Sequence, residues 1–195
     1  LENYKETTSF SDRKVIEKPS IPKFKIVETK LDLPTIESLQ DDHIAKQYIL
    51  NRKLPESCFK HLYYAEDFRK FVESVSDVKL DKTGPRIIIP FFSKFGELIA
   101  FQGRALGESN MRYVTIKLHD ELKLFGLDKI NKNEEILVTE GPIDSLFLPN
   151  AIAVSGSSFD TPTINRLLAN ATIIMDNEPR SKEIAKLLEK YINKG

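Results

Sequence analysis

The segment ILVTEGPIDSLFL, residues 136–148, decides how the last third of the chain folds. Four strand-forming residues, Ile136 to Thr139, run into Glu140, and Gly141-Pro142 turns the chain into a stretch carrying Asp144. Proline is tolerated in the first turn of a helix, where its missing N–H has no partner to lose. PIDSLFLP therefore predicts a helix over 142–149. The alternation continues downstream. AIAVSG (151–156) and ATIIMD (171–176) read as two further apolar strands, and TPTINRLLAN (161–170), with Thr161 as its cap, and RSKEIAKLLEKYINK (180–194) read as helices. Strand alternating with helix through residues 133–195 predicts a parallel sheet with crossover helices. The strands are apolar at consecutive positions, as a sheet covered on both faces requires.

Upstream the pattern differs. Residues 1–40 hold Pro19, Pro22 and Pro34 without a sustained period and read as an extended arm or linker. From Asp41, DDHIAKQYILNRK predicts a helix with Asp42 at its N-cap, and LPESCFKHLYYAEDFRKFVES (54–74) predicts one or two more. Two β-rich runs, 86–92 and 97–102, flank the turn Ser93–Gly96 and predict a hairpin, with a further strand over 112–118.

The 195 residues are 41% hydrophobic and 30% charged, a balance suited to a globular protein, and no apolar run reaches membrane-spanning length. Cys58 is the only cysteine, which excludes an internal disulfide and a multi-cysteine zinc site within these residues, and it reads as a small core residue. The net charge of zero conceals a gradient. Residues 86–132 carry eight basic and five acidic side chains, a net +3, while residues 133–195 carry six basic and nine acidic, a net −3.

The acidic third places its carboxylates where chemistry occurs in such folds, because parallel sheets bind ligands outside the carboxyl ends of their strands. Glu140 ends the first strand and Asp176 the third, with Glu178 two residues on and pointing the same way if the chain stays extended. Carboxylates gathered in one crevice repel unless a cation offsets them, and a set without His or Cys suits a hard divalent ion and phosphoryl or nucleotidyl transfer. Each acid also has a plain reading. Glu140 could be a solvated strand end, Asp144 a first-turn acid favoured by the helix dipole, and Asp176 and Glu178 part of a turn before Pro179.

TEGPIDSLFL and IIMDNEPRS together resemble the TOPRIM domain of primases, topoisomerases and some nucleases, which carries Glu-Gly after its first strand and Asp-x-Asp after its third. Here these are Glu140-Gly141, with Asp144 where primases often have an Asp, and Asp176-Asn177-Glu178, where Glu keeps the charge on a longer arm. RIIIPFFSKFGELIAFQGRAL (86–106) is similar to the DnaG-type primase segment running from Arg-x-x-x-Pro through a Gly turn to Phe-x-Gly-Arg. RYVTIKLHDELKLFGLDKI (112–130) resembles that family's Lys-Tyr strand and its Tyr-Gly-Leu-like close, and HIAKQYILNRKLPESCFKHLYYAEDF (43–68) its helical opening. DNEPRSKEI resembles in particular the primase subunits of T-even-like tailed phages.

The resemblance implies an α/β fold: a TOPRIM parallel-sheet domain over 133–195, C-terminally truncated, preceded by a mixed α+β primase-core subdomain over 41–132. It implies synthesis of short RNA primers on a single-stranded DNA template from ribonucleoside triphosphates, with Mg2+ or Mn2+ as cofactor. Glu140 takes the catalytic role, Glu140, Asp176 and Glu178 the metal, and Asp144 a supporting one. Arg86, Arg104 and Arg112 take nucleotide or template, Arg112 standing where the family usually has Lys. A replicative helicase is the implied partner, the cytoplasm (the host's, for a phage protein) the implied location, and a membrane is not involved. The family's usual zinc-binding module is not within these residues. A non-catalytic module binding nucleic acid or helicase, and a TOPRIM nuclease, stay open as alternatives.

Overall fold

Helix α1 (Ile44–Asn51) carries Ala45 and Ile49 four residues apart, and both are fully buried. These coordinates come from a computed structural model that describes residues 31–81, 83–156, 171–176 and 182–193. The helix begins one residue later than the sequence suggests. His43, rather than Asp42, has the extended backbone of a cap, and its Nδ1 accepts the Ala45 N–H at 3.1 Å while its ring meets Tyr64 edge-on at 4.5 Å. Residues 54–74 form a 3-10 helix (Glu56–His61), a strand β1 (Tyr63–Ala65) and helix α2 (Phe68–Val75). Three residues are too few for β1 to show alternation in sequence. Cys58 is buried in the 3-10 helix with Sγ 3.7 Å from the Leu146 carbonyl, and burial pushes its thiol pKa up.

The first sheet is antiparallel, in the order β1-β2-β3-β4, with β2 Arg86–Phe92, β3 Leu98–Ala105 and β4 Tyr113–Lys117. The hairpin forms where the turn signal predicts. Ser93 Oγ accepts the N–H groups of Phe95 and Glu97, and Gly96 takes φ +82°. Strand β3 runs three residues past its expected end at 102, because Gly103 continues it. A Cβ at 103 would enter the Phe68 ring and the Arg86 stem, so glycine here admits α2 onto the sheet.

Alternation then sorts the side chains. Ile87, Ile89 and Phe91 face one core with Ile49 and Phe59; Ile88, Phe101 and Ile116 face another with Phe68 and Phe71 of α2. Phe68 and Phe101 are fully buried, and truncating either to Ala would cost about 3–5 kcal/mol.

The second sheet is parallel, in the order β6-β5-β7, with β5 (Ile136–Thr139) between β6 (Ala151–Ala153) and β7 (Ala171–Ile173). Helix α3 is only Pro142–Ser145, shorter than the expected 142–149, because Ser145 Oγ bonds the Pro142 carbonyl and the following N–H groups bond three residues back. The last described helix is α4 (Lys182–Ile192). The helix expected over 161–170 lies outside the described residues. Among the described residues no helix is long and apolar enough to cross a membrane.

The two sheets share a core. Phe125, Ile143 and Ala153 belong to the cluster of Ile87 and Ile89, and Phe125 exchanges both backbone hydrogen bonds with Ala153. Gly126 supplies the tight approach there, at φ +81°, where a Cβ would meet the Ala151 carbonyl oxygen.

Candidate active site at the junction of the two sheets

Because β5 is central, the carboxyl ends of all three parallel strands open on one edge. Glu140 follows β5 directly, and its carbonyl accepts the Ser155 N–H at 3.0 Å, which fastens the loop after β6 to it. Ser155 is held there at φ +47°, a left-handed conformation that costs a non-glycine residue about 1–2 kcal/mol. Gly141 is required by proximity rather than by its own φ of −102°. A Cβ on it would collide with Asp144 Oδ2, so the Asp144 carboxylate lies back against the Glu-Gly turn. Asp176 is the third residue past the end of β7.

Glu140, Asp144 and Asp176 line one cavity of about 430 Å³. The antiparallel sheet supplies its other wall through Gln102, Tyr113 and Thr115, and Ser155 and Gly156 complete it. Asp144 holds its proton to higher pH than an ordinary carboxyl. Loss of hydration where it folds back is the first cause, although the residue as a whole is exposed, and the negative charge of Asp176 is the second. The positive charge of Arg52 acts the other way and is outweighed.

A run of cations and rings leads into this cavity. The guanidinium carbons of Arg52 and Arg104 lie 5.3 and 5.4 Å from the Tyr48 ring centre, and Arg104 also lies 4.9 Å from that of Tyr113. Arg104 Nε donates to Tyr48 Oη at 2.8 Å. Burial pushes the Tyr113 phenol pKa up, against the opposing charge of Arg104.

The structure thus brings three of the four candidate acids to one cavity, and Glu178 lies outside the described residues. Arg104 lies beside the cavity, stacked on its lining residue Tyr113, and Arg112 is exposed at the start of β4. Arg86 is elsewhere. Pairing of Ile87 with Arg104 puts Arg86 on the opposite face of the sheet, where it is 2% exposed and packed on Phe68 at 5.0 Å. Its Nη1 donates to the Gly103 carbonyl at 2.9 Å and its Nη2 to that of Met111 at 3.0 Å.

Residues the sequence did not single out are Arg52, Tyr48, Tyr113, Gln102, Thr115 and Ser155. An arginine ending a helix and hydroxyls within strands carry no distinguishing local signal. Among the described residues, no group of three His, Cys, Asp or Glu side chains is close enough together to hold a metal ion. The acids that line the cavity nonetheless offer hard oxygen donors, and the repulsion felt by Asp144 is what a hard dication relieves.

No protein-family model matches the chain. It is 31% identical over 183 residues to the DNA primase of Enterobacteria phage T4, an alignment covering 92% of this chain and 53% of that protein. The chain therefore spans about half the length of this relative. Its fold resembles the Aquifex aeolicus primase zinc-binding and RNA polymerase domains, with TM-score 0.55 and 22% identity over 69% of this chain and 43% of that one. A DnaG primase catalytic domain bound to single-stranded DNA superposes with TM-score 0.54 and 21% identity, covering 72% of this chain and 58% of the other. With an antiparallel and a parallel sheet as in the solved primase catalytic cores, and sequence similarity to a phage DNA primase over 92% of its length, the chain is similar to DNA primases in sequence and to DnaG catalytic cores in fold.

Proposed function

We propose that this chain is the catalytic core of a primase that joins ribonucleoside triphosphates into short RNA primers on single-stranded DNA. The observation that carries the reading is the meeting of Glu140, Asp144 and Asp176 at one cavity, beside Arg104 and Arg52. In the reaction the primer 3′-oxygen bonds to the α-phosphorus, the bond to pyrophosphate breaks, and the 3′-hydroxyl proton is lost. Glu140, Asp176 and Glu178 would hold Mg2+ or Mn2+, with Asp144 in support. When bound, such ions favour ionisation of the hydroxyl and offset charge on the leaving group. Arg104 and Arg112 hold nucleotide or template phosphates, through contacts that weaken with salt and carry little sequence information.

Arg86 enters this reading indirectly, through its bonds to the carbonyl of Gly103, beside Arg104, and to those of Met111 and Arg112. In this reading residues 133–195 are the TOPRIM unit and 41–132 the basic nucleotide and template side; Leu31 and Ile36, buried in the cores of that side, with Thr35 bridged to Tyr63, belong with it rather than with the arm expected over 1–40. A replicative helicase in the host cytoplasm is the partner. The solved DnaG domain bound to single-stranded DNA supports the template assignment. The test is incorporation of labelled ribonucleotides on a single-stranded template with and without Mg2+. Metal-dependent primers lost in Glu140→Gln support the reading; synthesis unchanged in that variant refutes it, and template cleavage instead would identify a nuclease.

A further inference from the structure

Two guanidinium groups meet on one tyrosine ring beside the acid-lined cavity. Arg104 reaches the Tyr48 ring from β3, its guanidinium carbon 5.4 Å from the ring centre, and Arg52 reaches it from the end of α1, at 5.3 Å. The two cations are therefore no further apart than those distances together. Among the described residues neither forms an ion pair with a carboxylate. Arg104 is nearly buried, with its Nε given to Tyr48 Oη and its guanidinium covered by Tyr113. Its two terminal nitrogens donate to no described residue, yet they are not among the sealed polar atoms without a partner, which belong to Thr83, Arg86 and Gln102. That fork keeps an open edge. Arg52 is exposed at the rim.

Like charges held close together raise the free energy of the protein until an anion bridges them. The surroundings say which anion. Tyr113, stacked on Arg104, lines the cavity, and so does Asp144, whose carboxyl feels the positive charge of Arg52. Hard cations held by one or two carboxylates are completed by substrate phosphates, so an anion reaching from the acids to the arginines carries several phosphates in a row. A template strand spaces its phosphates one to a nucleotide, whereas a nucleoside triphosphate joins them directly. Planar guanidinium forks match such oxygens in pairs. The exposed arginine faces solvent, where the leaving group must go.

We propose that Arg52 binds the terminal phosphates of the incoming nucleotide, the part released as pyrophosphate, in a clamp with Arg104 that Tyr48 positions. This deepens the primase reading of the same cavity and rests on it. Calorimetry of ATP, AMP and inorganic pyrophosphate binding to the full chain with Mg2+ present tests it without requiring turnover. The wild type should bind ATP more tightly than AMP. Arg52→Gln should weaken ATP and pyrophosphate about tenfold or more, as losing a hydrogen bond to a charged group does, and leave AMP within about twofold. Tyr48→Phe, which keeps the ring and frees the Arg104 Nε, should weaken ATP about threefold with AMP little changed.

Circular dichroism and melting monitor the fold of both variants. An arginine that serves only the end of α1 would lower the melting midpoint in Arg52→Gln and leave the ratio of ATP to AMP affinity as it was, which overturns the proposal. So does an equal loss of ATP and AMP, a loss confined to a single-stranded DNA oligonucleotide, or a wild type that prefers neither nucleotide. A ratio that collapses in Arg52→Gln, in a protein that makes no primers, would sink the polymerase reading and leave the polyphosphate clamp standing. Primers made by a protein whose ratio and pyrophosphate affinity are unchanged in that variant would do the reverse.

Discussion

The antiparallel and parallel sheets treat charge in opposite ways. In the first, Arg86 is drawn into the protein and its guanidinium is bonded to backbone carbonyls. Arg104, 9% exposed, is stacked between two tyrosines. At the edge of the second, loss of hydration and then the charge of Asp176 push the Asp144 pKa up, and the nearby Arg52 does not reverse the shift. Charges of the first kind are positioned by backbone dipoles and rings, which offset the burial that pulls the Arg86 pKa down. Those of the second kind raise the free energy of the protein alone, a cost that protonation relieves and that a bound cation would relieve. The two kinds of charge are thus distinguished by what neutralises them, a distinction a residue count cannot supply.

Substitutions on the two sides should separate activity from stability. Glu140→Gln should reduce primer synthesis roughly a hundredfold or more while moving the unfolding midpoint little, since several kcal/mol of charge stabilisation by bound metal is lost at a strand end. Template-directed incorporation and urea denaturation read the two effects. Arg86→Met should do the opposite. Leaving the Gly103 and Met111 carbonyls without their donor should cost about 2–4 kcal/mol in urea unfolding. Unaltered stability with abolished nucleotide binding would show instead that Arg86 faces ligand.

Gly103→Ala forces a Cβ into the Phe68 ring and should cost about 1–3 kcal/mol by the same measurement. Asp144→Asn should give the smallest effect, a gain in stability below about 1 kcal/mol because solvent screens a partly exposed group. The sign follows from the raised pKa. Folding penalises the charged carboxylate, so the penalty is absent below the ordinary value of 3.8 and develops as pH rises through the raised one. Thermal melts at neutral pH should show the gain, melts near pH 3 should not, and Mg2+ should narrow the difference by stabilising the wild type more.

The hairpin was legible because strand 86–92 and its Ser93–Gly96 turn carry their signals locally. The parallel strands were legible for the same reason, and their carboxyl ends pointed to Glu140 and Asp176. Strand β1 was not, since it exists only by pairing with β2. The His43 cap depends on a backbone conformation and a tyrosine ring that no nearby residue announces. The early end of α3 comes from a Ser145 bond that competes with the helix.

Local order, period and residue type were enough to establish two sheets, a turn between Ile136–Thr139 and a helix, and an acid at the strand's end. They could not say that Arg86 and Arg104, both on neighbouring strands, face opposite ways. That follows from the register Ile87 opposite Arg104, and register is set by packing across the whole core. Nor could they bring Gln102 to Ser155, a contact 53 residues apart that exists because a shared core holds the two sheets together.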